Sequence, residues 1–138
     1  MSVEAAVYDI LSSDSGVTSL VGGARSPRIY QLAVPQGKSM PAIVYQQISS
    51  VEEVTCDGPA DPRDDRFQVT SWADDPDVAR AVAEAVRAAM DAASGAHGSV
   101  TIRFCSFDGE GDRVEIPPEN ETLGRYGKSQ DWIIAYET

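Results

Sequence analysis

Three sets of side chains in this sequence belong to the types that do chemistry: one histidine, two cysteines and several groups of carboxylates. His97, in the segment AHGS, could act as a general base or a metal ligand. No Cys or carboxylate accompanies it at a zinc-type spacing, so the expectation is a solvated turn residue. Cys105 sits inside an alternating run, where a thiol behaves as a small hydrophobe. Cys56 opens an aspartate-rich stretch whose negative charge disfavours the thiolate, so it makes a poor nucleophile.

The carboxylates gather between residues 52 and 77: Glu52, Glu53, Asp57, Asp61, Asp64, Asp65, Asp74, Asp75 and Asp77, with only Arg63 and Arg66 among them. The run DPRDD has the oxygen-rich look of a metal loop but lacks the spacing and closing glutamate of a calcium-binding hand. GEGD, with Glu110 and Asp112, resembles a nucleotide glycine loop only in composition, because no helical pattern follows it. Solvated loop charge accounts for both clusters. With no nucleophile–base pair, phosphate loop or metal motif, the sequence predicts a protein that is not an enzyme and needs no cofactor or metal.

The elements that position these residues are legible in the periodicity. Val3, Ala6, Val7, Ile10 and Leu11 form one apolar stripe at the helical period, with Ser2 as N-cap and Glu4 in the first turn. Val17, Leu20 and Val21 predict a further turn or two of helix, stopped by Gly22-Gly23. Arg28 to Val34 reads as a short strand or extended link. Ala42 to Thr55 reads as a strand with Ile43, Tyr45 and Gln47 on one face and Val44, Gln46 and Ile48 on the other.

The stretch 56–65 contains two Pro, one Gly and four Asp and reads as a loop. Arg66 to Ala73 resumes as a strand. Asp75-Pro76 then sets an N-cap with proline at the first helical position. The helix that follows is expected to bury Val78, Val82, Ala85, Val86, Ala89 and Ala93, and to expose the alternating charges of Arg80, Glu84, Arg87 and Asp91. Val100 to Phe107 alternates with Val100, Ile102 and Phe104 on one side. Trp132 to Glu137 closes as a strand with Trp132, Ile134 and Tyr136 on one face.

Helix, strands, helix, strands, without a βαβ alternation, predicts an α+β fold: a largely antiparallel sheet of four or five strands with two main helices packed on one face. The 138 residues predict one domain, 1–138, with no internal repeat. The unexplained part is a long polar loop or hairpin at about 108–130, which carries Ile116, Leu123 and Tyr126 among charges, as a segment does when it orders against a partner.

Composition narrows the function classes. Against 22 Asp plus Glu stand 11 Lys plus Arg, a formal charge of −11, which argues against wrapping duplex nucleic acid. No apolar run is long enough to span a membrane, and the first residues lack the basic and apolar regions of a signal peptide. Two isolated thiols without such a signal predict reduced groups in a reducing compartment.

The layout as a whole resembles a known family. GVTSLVGG after the first helix leads to RIYQLAVPQG, then MPAIVYQQIS, an acidic segment, RFQVTSWADD and an alanine-rich helix. This order is similar to that of the small tail completion proteins of long-tailed bacteriophages and prophages, also called tail terminators or head–tail joining proteins. The matching segments are Val3–Gly22, Arg28–Gly37, Pro41–Ser50, Arg66–Asp74 and Val78–Ala93, and the C-terminal third departs from the pattern.

The resemblance implies a structural virion protein: an α+β subunit of a homo-oligomeric ring, typically a hexamer, that caps the tail tube and joins it to the head connector or stopper protein. It would sit at the virion neck after assembly in the host cytoplasm, with double-stranded DNA passing through without specific binding, and no membrane would be involved. Under this reading Glu52, Glu53, Asp57, Asp61, Asp64, Asp65, Glu110 and Asp112 are candidates to line the lumen and repel phosphates. Arg113, Ile116, Leu123, Arg125, Tyr126 and Lys128 are candidate interface residues. Trp132 could anchor an interface, but its alternation with Ile134 and Tyr136 favours the core. The alternative function is an acidic DNA mimic that inhibits a DNA-binding partner, which requires the carboxylates to form one continuous face. A small hydrolase or ligand-binding domain would need a pocket of convergent polar groups, which the sequence does not assemble.

Overall fold

The computed structural model describes residues 2–23, 25–35, 39–55, 58–115 and 125–137, with 51–55 and 58–62 described by their backbone alone. Helix α1, Val3–Ser12, starts where the Ser2 hydroxyl accepts from the Ala5 N–H at 3.2 Å, and buries the stripe Val3, Ala6, Val7, Ile10 and Leu11. Asp14 caps the one-turn α2, Ser15–Thr18, by accepting from Val17 N–H at 3.1 Å. Gly22 follows at φ +106°, a left-handed backbone, and a Cβ there would meet the Arg28 guanidinium at 2.7 Å. That guanidinium in turn donates from Nε to Pro41 O at 2.8 Å, tying the turn to the entry of the sheet.

Strands β1, Ile29–Gln31, and β2, Ala42–Thr55, run parallel. Strand β3, Gly58–Ala73, returns antiparallel to β2. Helix α3, Pro76–Asp91, then opens on Asp75, whose carboxylate accepts from Asp77 N–H at 2.7 Å. Strands β4, Gly95–His97, β5, Val100–Glu115, and β6, Arg125–Glu137, complete one six-stranded sheet in the order β1-β2-β3-β6-β5-β4.

The α+β class stands, but the sheet corrects the expected count and pattern: it has six strands, and β1 with β2 makes one parallel pair. The two additional strands are three-residue edge pieces whose burial patterns carry no alternation long enough to read.

One expected loop is largely strand. The proline-rich stretch from Gly58 onward pairs with β2, Val54 opposite Pro59 and Thr55 opposite Gly58, beyond the point where β6 reaches β3. On a two-stranded ribbon one edge of β3 is free, and a proline whose nitrogen faces that edge breaks no ladder bond. Of the loop or hairpin expected at about 108–130, residues 108–115 and 125–130 lie in the paired strands β5 and β6, while 116–124, including Ile116 and Leu123, fall outside the described residues.

One face of the sheet holds the core. Phe67, Val69, Trp132, Ile134, Val100 and Ile102 are buried there with Ile43 and Tyr45, under the apolar sides of α1 and α3. Trp132 and Phe67 are fully buried, each contributing about 2–3 kcal/mol, and Trp132 meets Phe107 edge-to-face at 5.4 Å. Trp132 is therefore a core residue.

Two expected core stripes are displaced. In α3 the buried residues are Ala79, Val82, Ala83, Val86, Ala89 and Met90, and Val78 is exposed. The stripe is turned toward the small alanines, which let the helix approach the sheet closely. In β5 the register shifts between Ile102 and Phe104, so Phe104 turns outward, 54% exposed, and Cys105 turns inward.

Candidate assembly surface

Among the described residues no group of His, Cys, Asp and Glu could hold a metal ion. His97 ends β4 half-buried, with Nδ1 2.5 Å from Asp9 Oδ2, so it links the edge of the sheet to α1 and is not a solvated turn residue. The helix brings its partner from 88 residues away, which local spacing cannot show. Cys105 is buried, and desolvation first, then the charge of Asp91, pushes its thiol up to about 12. Such a group stays protonated and inert near neutral pH. Cys56 lies outside the described residues.

The candidate lumen acids divide between the two faces. Residues opposite one another in a ladder share a face. Asp64, paired with Ala135, is exposed on the face away from the helices. Asp65 is on the helix face and only 1% exposed. Its carboxylate accepts from Ser50 Oγ at 2.6 Å, Gln47 Nε2 at 3.0 Å and the Tyr136 hydroxyl at 3.2 Å. Burial, with the charge of Asp65 next, raises the Tyr136 phenol above its ordinary value. Asp65 thus organises a buried hydrogen-bond cluster and is not available to repel a phosphate in solution. The structure corrects its assignment to an exposed acidic lining.

Glu110 and Asp112 also sit on the helix face. Glu110 Oε1 accepts from Gln130 Nε2 at 3.2 Å, and Asp112 holds the Lys128 ammonium at 2.9 Å. That hydrogen bond to Asp112 raises the Lys128 ammonium above its ordinary value. The backbones of Glu52 and Glu53 lie in β2 and that of Asp61 in β3. Their side chains, and Asp57 entirely, are outside the described residues. The described acids do not make the continuous phosphate-like face that a DNA mimic requires.

The candidate interface residues come closer together. The far part of the β5–β6 hairpin is clamped on α3 by Gln130, 1% exposed, whose Nε2 also donates to Ala83 O at 3.0 Å. Between this hairpin and the first turns of α3 lies a groove of about 480 Å³, lined by Pro76, Arg80, Arg113, Val114, Tyr126 and Lys128 among others. Arg125 lies on the other side of the hairpin beside Leu32, Val44 and Trp72. Arg113 and Arg125 make no ion pair among the described residues. Arg113, Arg125, Tyr126 and Lys128 therefore cluster at one end of the sheet, where Trp72 lies against Gly127.

Sequence reasoning missed Leu32. It is 67% exposed in a left-handed conformation at φ +72°, an arrangement costly for a leucine and invisible in hydropathy.

The sheet face away from the helices is the other broad surface. Across it Gln46 Nε2 donates to Gln68 Oε1 at 3.0 Å, Gln68 approaches Asp131 at 3.5 Å, and Thr70 meets Ser129 at 3.5 Å. Arg66 is paired with Asp108 at 2.6 Å. The described residues thus form a sheet with helices on one face and a polar ladder on the other.

The family model described as tail completion protein gp17 matches residues 5–118, and the chain belongs to that family. A chain in the virion of a native gene transfer agent (GTA) particle is similar in fold, with a TM-score of 0.76 at 20% identity, over 99% of this chain and 95% of that one. No curated protein matches the sequence.

Proposed function

We propose that this chain is the subunit of a ring, six copies by the family resemblance, that caps the phage tail tube and joins it to the head connector at the virion neck. Double-stranded DNA passes through the lumen. The observation that carries this reading is the one-sided sheet: four long strands leave one face bare of helices, a polar ladder with Ile48, Trp72 and Phe104 around it, while α1 and α3 pack on the opposite face. Family membership supplies the tail-completion context.

Turned toward a lumen, the bare face would show DNA the glutamine ladder and Asp64, Asp108 and Asp131. Arg66, its cation in the middle of the sheet, is already held by Asp108. Arg113 and Arg125 stand at one end of this same face, beside the ladder and Trp72, so along the rest of it phosphates would find few free cations to condense on. The tail tube protein, the connector or stopper protein and further copies of the chain would meet the remaining surfaces. Among these is the hairpin end with Arg113, Arg125, Tyr126 and Lys128, because Arg and aromatic groups concentrate binding energy.

The reading is tested by disrupting the gene in its source phage or prophage and imaging the lysate by electron microscopy. Filled heads beside detached or over-long tails are expected. Normal, infectious particles would overturn the proposal.

A further inference from the structure

The sheet leaves both of its long outer edges open. On β2, strand β1 covers only Ile43, Val44 and Tyr45, so the edge from Gln46 to Thr55 has no strand partner among the described residues. On β5, strand β4 covers only Val100, Thr101 and Ile102, so the edge from Arg103 to Glu115 is equally bare. At about 3.3 Å per residue these edges run roughly 30 to 40 Å each. An open edge of that length is a template for another strand, and neither stretch contains the Lys or Pro that usually blocks one.

Three further observations say which strand. The successive antiparallel pairs β2–β3, β3–β6 and β6–β5 make β2 and β5 run in opposite directions. A second copy turned about an axis along the strands keeps their direction, so its β2 would meet β5 antiparallel, the more stable pairing. The covered ends also complement each other. β1 shields the start of β2 and β4 the start of β5, at opposite ends of the sheet, so two copies slid along the strands bring bare edge to bare edge. Such a stagger is what closing a sheet into a barrel requires, and register shifts in β2 and β5 add the bend. Lastly, exposed apolar side chains lie on these stretches: Ile48 on β2, and Phe104 and Val114 on β5.

We propose that the partner of each open edge is a second copy of this chain. The β5 edge from Arg103 to Glu115 pairs antiparallel with the β2 edge from Gln46 to Thr55 of the next copy, and the sheets join into one closed barrel with the helices outside. The contact is head-to-tail, so it closes at a number of copies set by the angle between neighbours. The inference rests on the ring reading above for self-assembly itself, and adds which strands form the seam.

The test places a photo-crosslinking amino acid at position 104 of the full chain and maps the joined peptides by mass spectrometry, with the oligomeric state measured by light scattering. Crosslinks from position 104 into the Gln46–Thr55 stretch of another copy are expected. Ile48→Lys and Phe104→Lys, both at exposed positions and so compatible with folding, are expected to shift assembly toward monomer at least about tenfold, with circular dichroism unchanged. Rings that crosslink to other elements, or that persist in both lysine variants, overturn the seam and leave the ring reading standing. A wild-type chain that stays monomeric at the highest attainable concentration overturns both.

Discussion

Gly127 is a position where a single methyl group asks much of this fold. It lies in β6 opposite Trp72 of β3, and the indole packs flat on it. A Cβ at position 127 would stand 2.9, 3.0 and 3.2 Å from Trp72 Cε3, Cζ3 and Cδ2. Ordinary carbon–carbon contact is about 3.5–4.0 Å, so three ring atoms would have to retreat together. Overpacking of this kind costs about 1–3 kcal/mol, offset by the roughly 0.5–1 kcal/mol that alanine gains over glycine in a strand. Gly127→Ala should therefore destabilise by about 1–2 kcal/mol, a fall in Tm of about 3–8 °C for a chain of this size.

Urea unfolding of the parent, Gly127→Ala, Trp72→Ala and the double variant isolates the cause. With the indole gone, the added methyl should be neutral or stabilising, a coupling of about 1–2 kcal/mol. If Gly127→Ala matches the parent within about 0.3 kcal/mol, or costs the same with and without Trp72, the close approach does not control stability here.

Three other outcomes follow from the same geometry. Asp65→Ala removes the acceptor of Ser50, Gln47 and Tyr136 inside the sheet and should cost about 3 kcal/mol by urea unfolding, since buried donors lose their partner. The Cys105 thiol is pushed up to about 12 when folded, from 9.0 when unperturbed, so above about pH 9 the unfolded chain sheds a proton the folded chain keeps. Stability should then fall as pH rises through that window, by up to about 1.4 kcal/mol per unit, and Cys105→Val should flatten this limb of the stability–pH curve. The buried Tyr45 and Tyr136 phenols, also raised, should leave a residual slope above pH 10. Asp75→Ala removes the cap of α3 and should cost about 1 kcal/mol, read as a lower urea midpoint with unchanged slope.

What could be read from the sequence is what local chemistry controls. Ser2 and the stripe from Val3 to Leu11 specify α1 without help. Asp75-Pro76 fixes the start of α3, and β2 runs from Ala42 to Thr55 as its alternation predicts. The misreadings share another cause. Pro59 and Pro62 argue for a loop wherever a strand needs both edges, and nothing in the sequence shows that β3 has a free edge there. Phe104 belongs to the core by alternation until a register shift turns it outward. Asp65 looks like one more loop acid, and only the pairing of β2, β3 and β6 brings Gln47, Ser50 and Tyr136 around it. Arg113, Arg125, Tyr126 and Lys128 share one end of the hairpin because they are near in sequence, but which face each takes depends on register. The division of the acids between two faces was not legible for the same reason.

The strand order has a consequence for how the chain reaches this state. β6 lies between β3 and β5, with Arg63 opposite Tyr136 and Phe67 opposite Trp132, yet it is the last of the described strands to be synthesised. Until it arrives, β3 and β5 each lack an inner neighbour and Trp132 is missing from the core. Contacts of such long sequence separation slow folding, and they leave apolar strand edges open during translation. Folding should therefore be a late event, completed only as β6 leaves the ribosome and is received between its two neighbours. A ribosome stalled before residue 125 should hold a protease-sensitive chain, and one stalled well beyond 138 a resistant one.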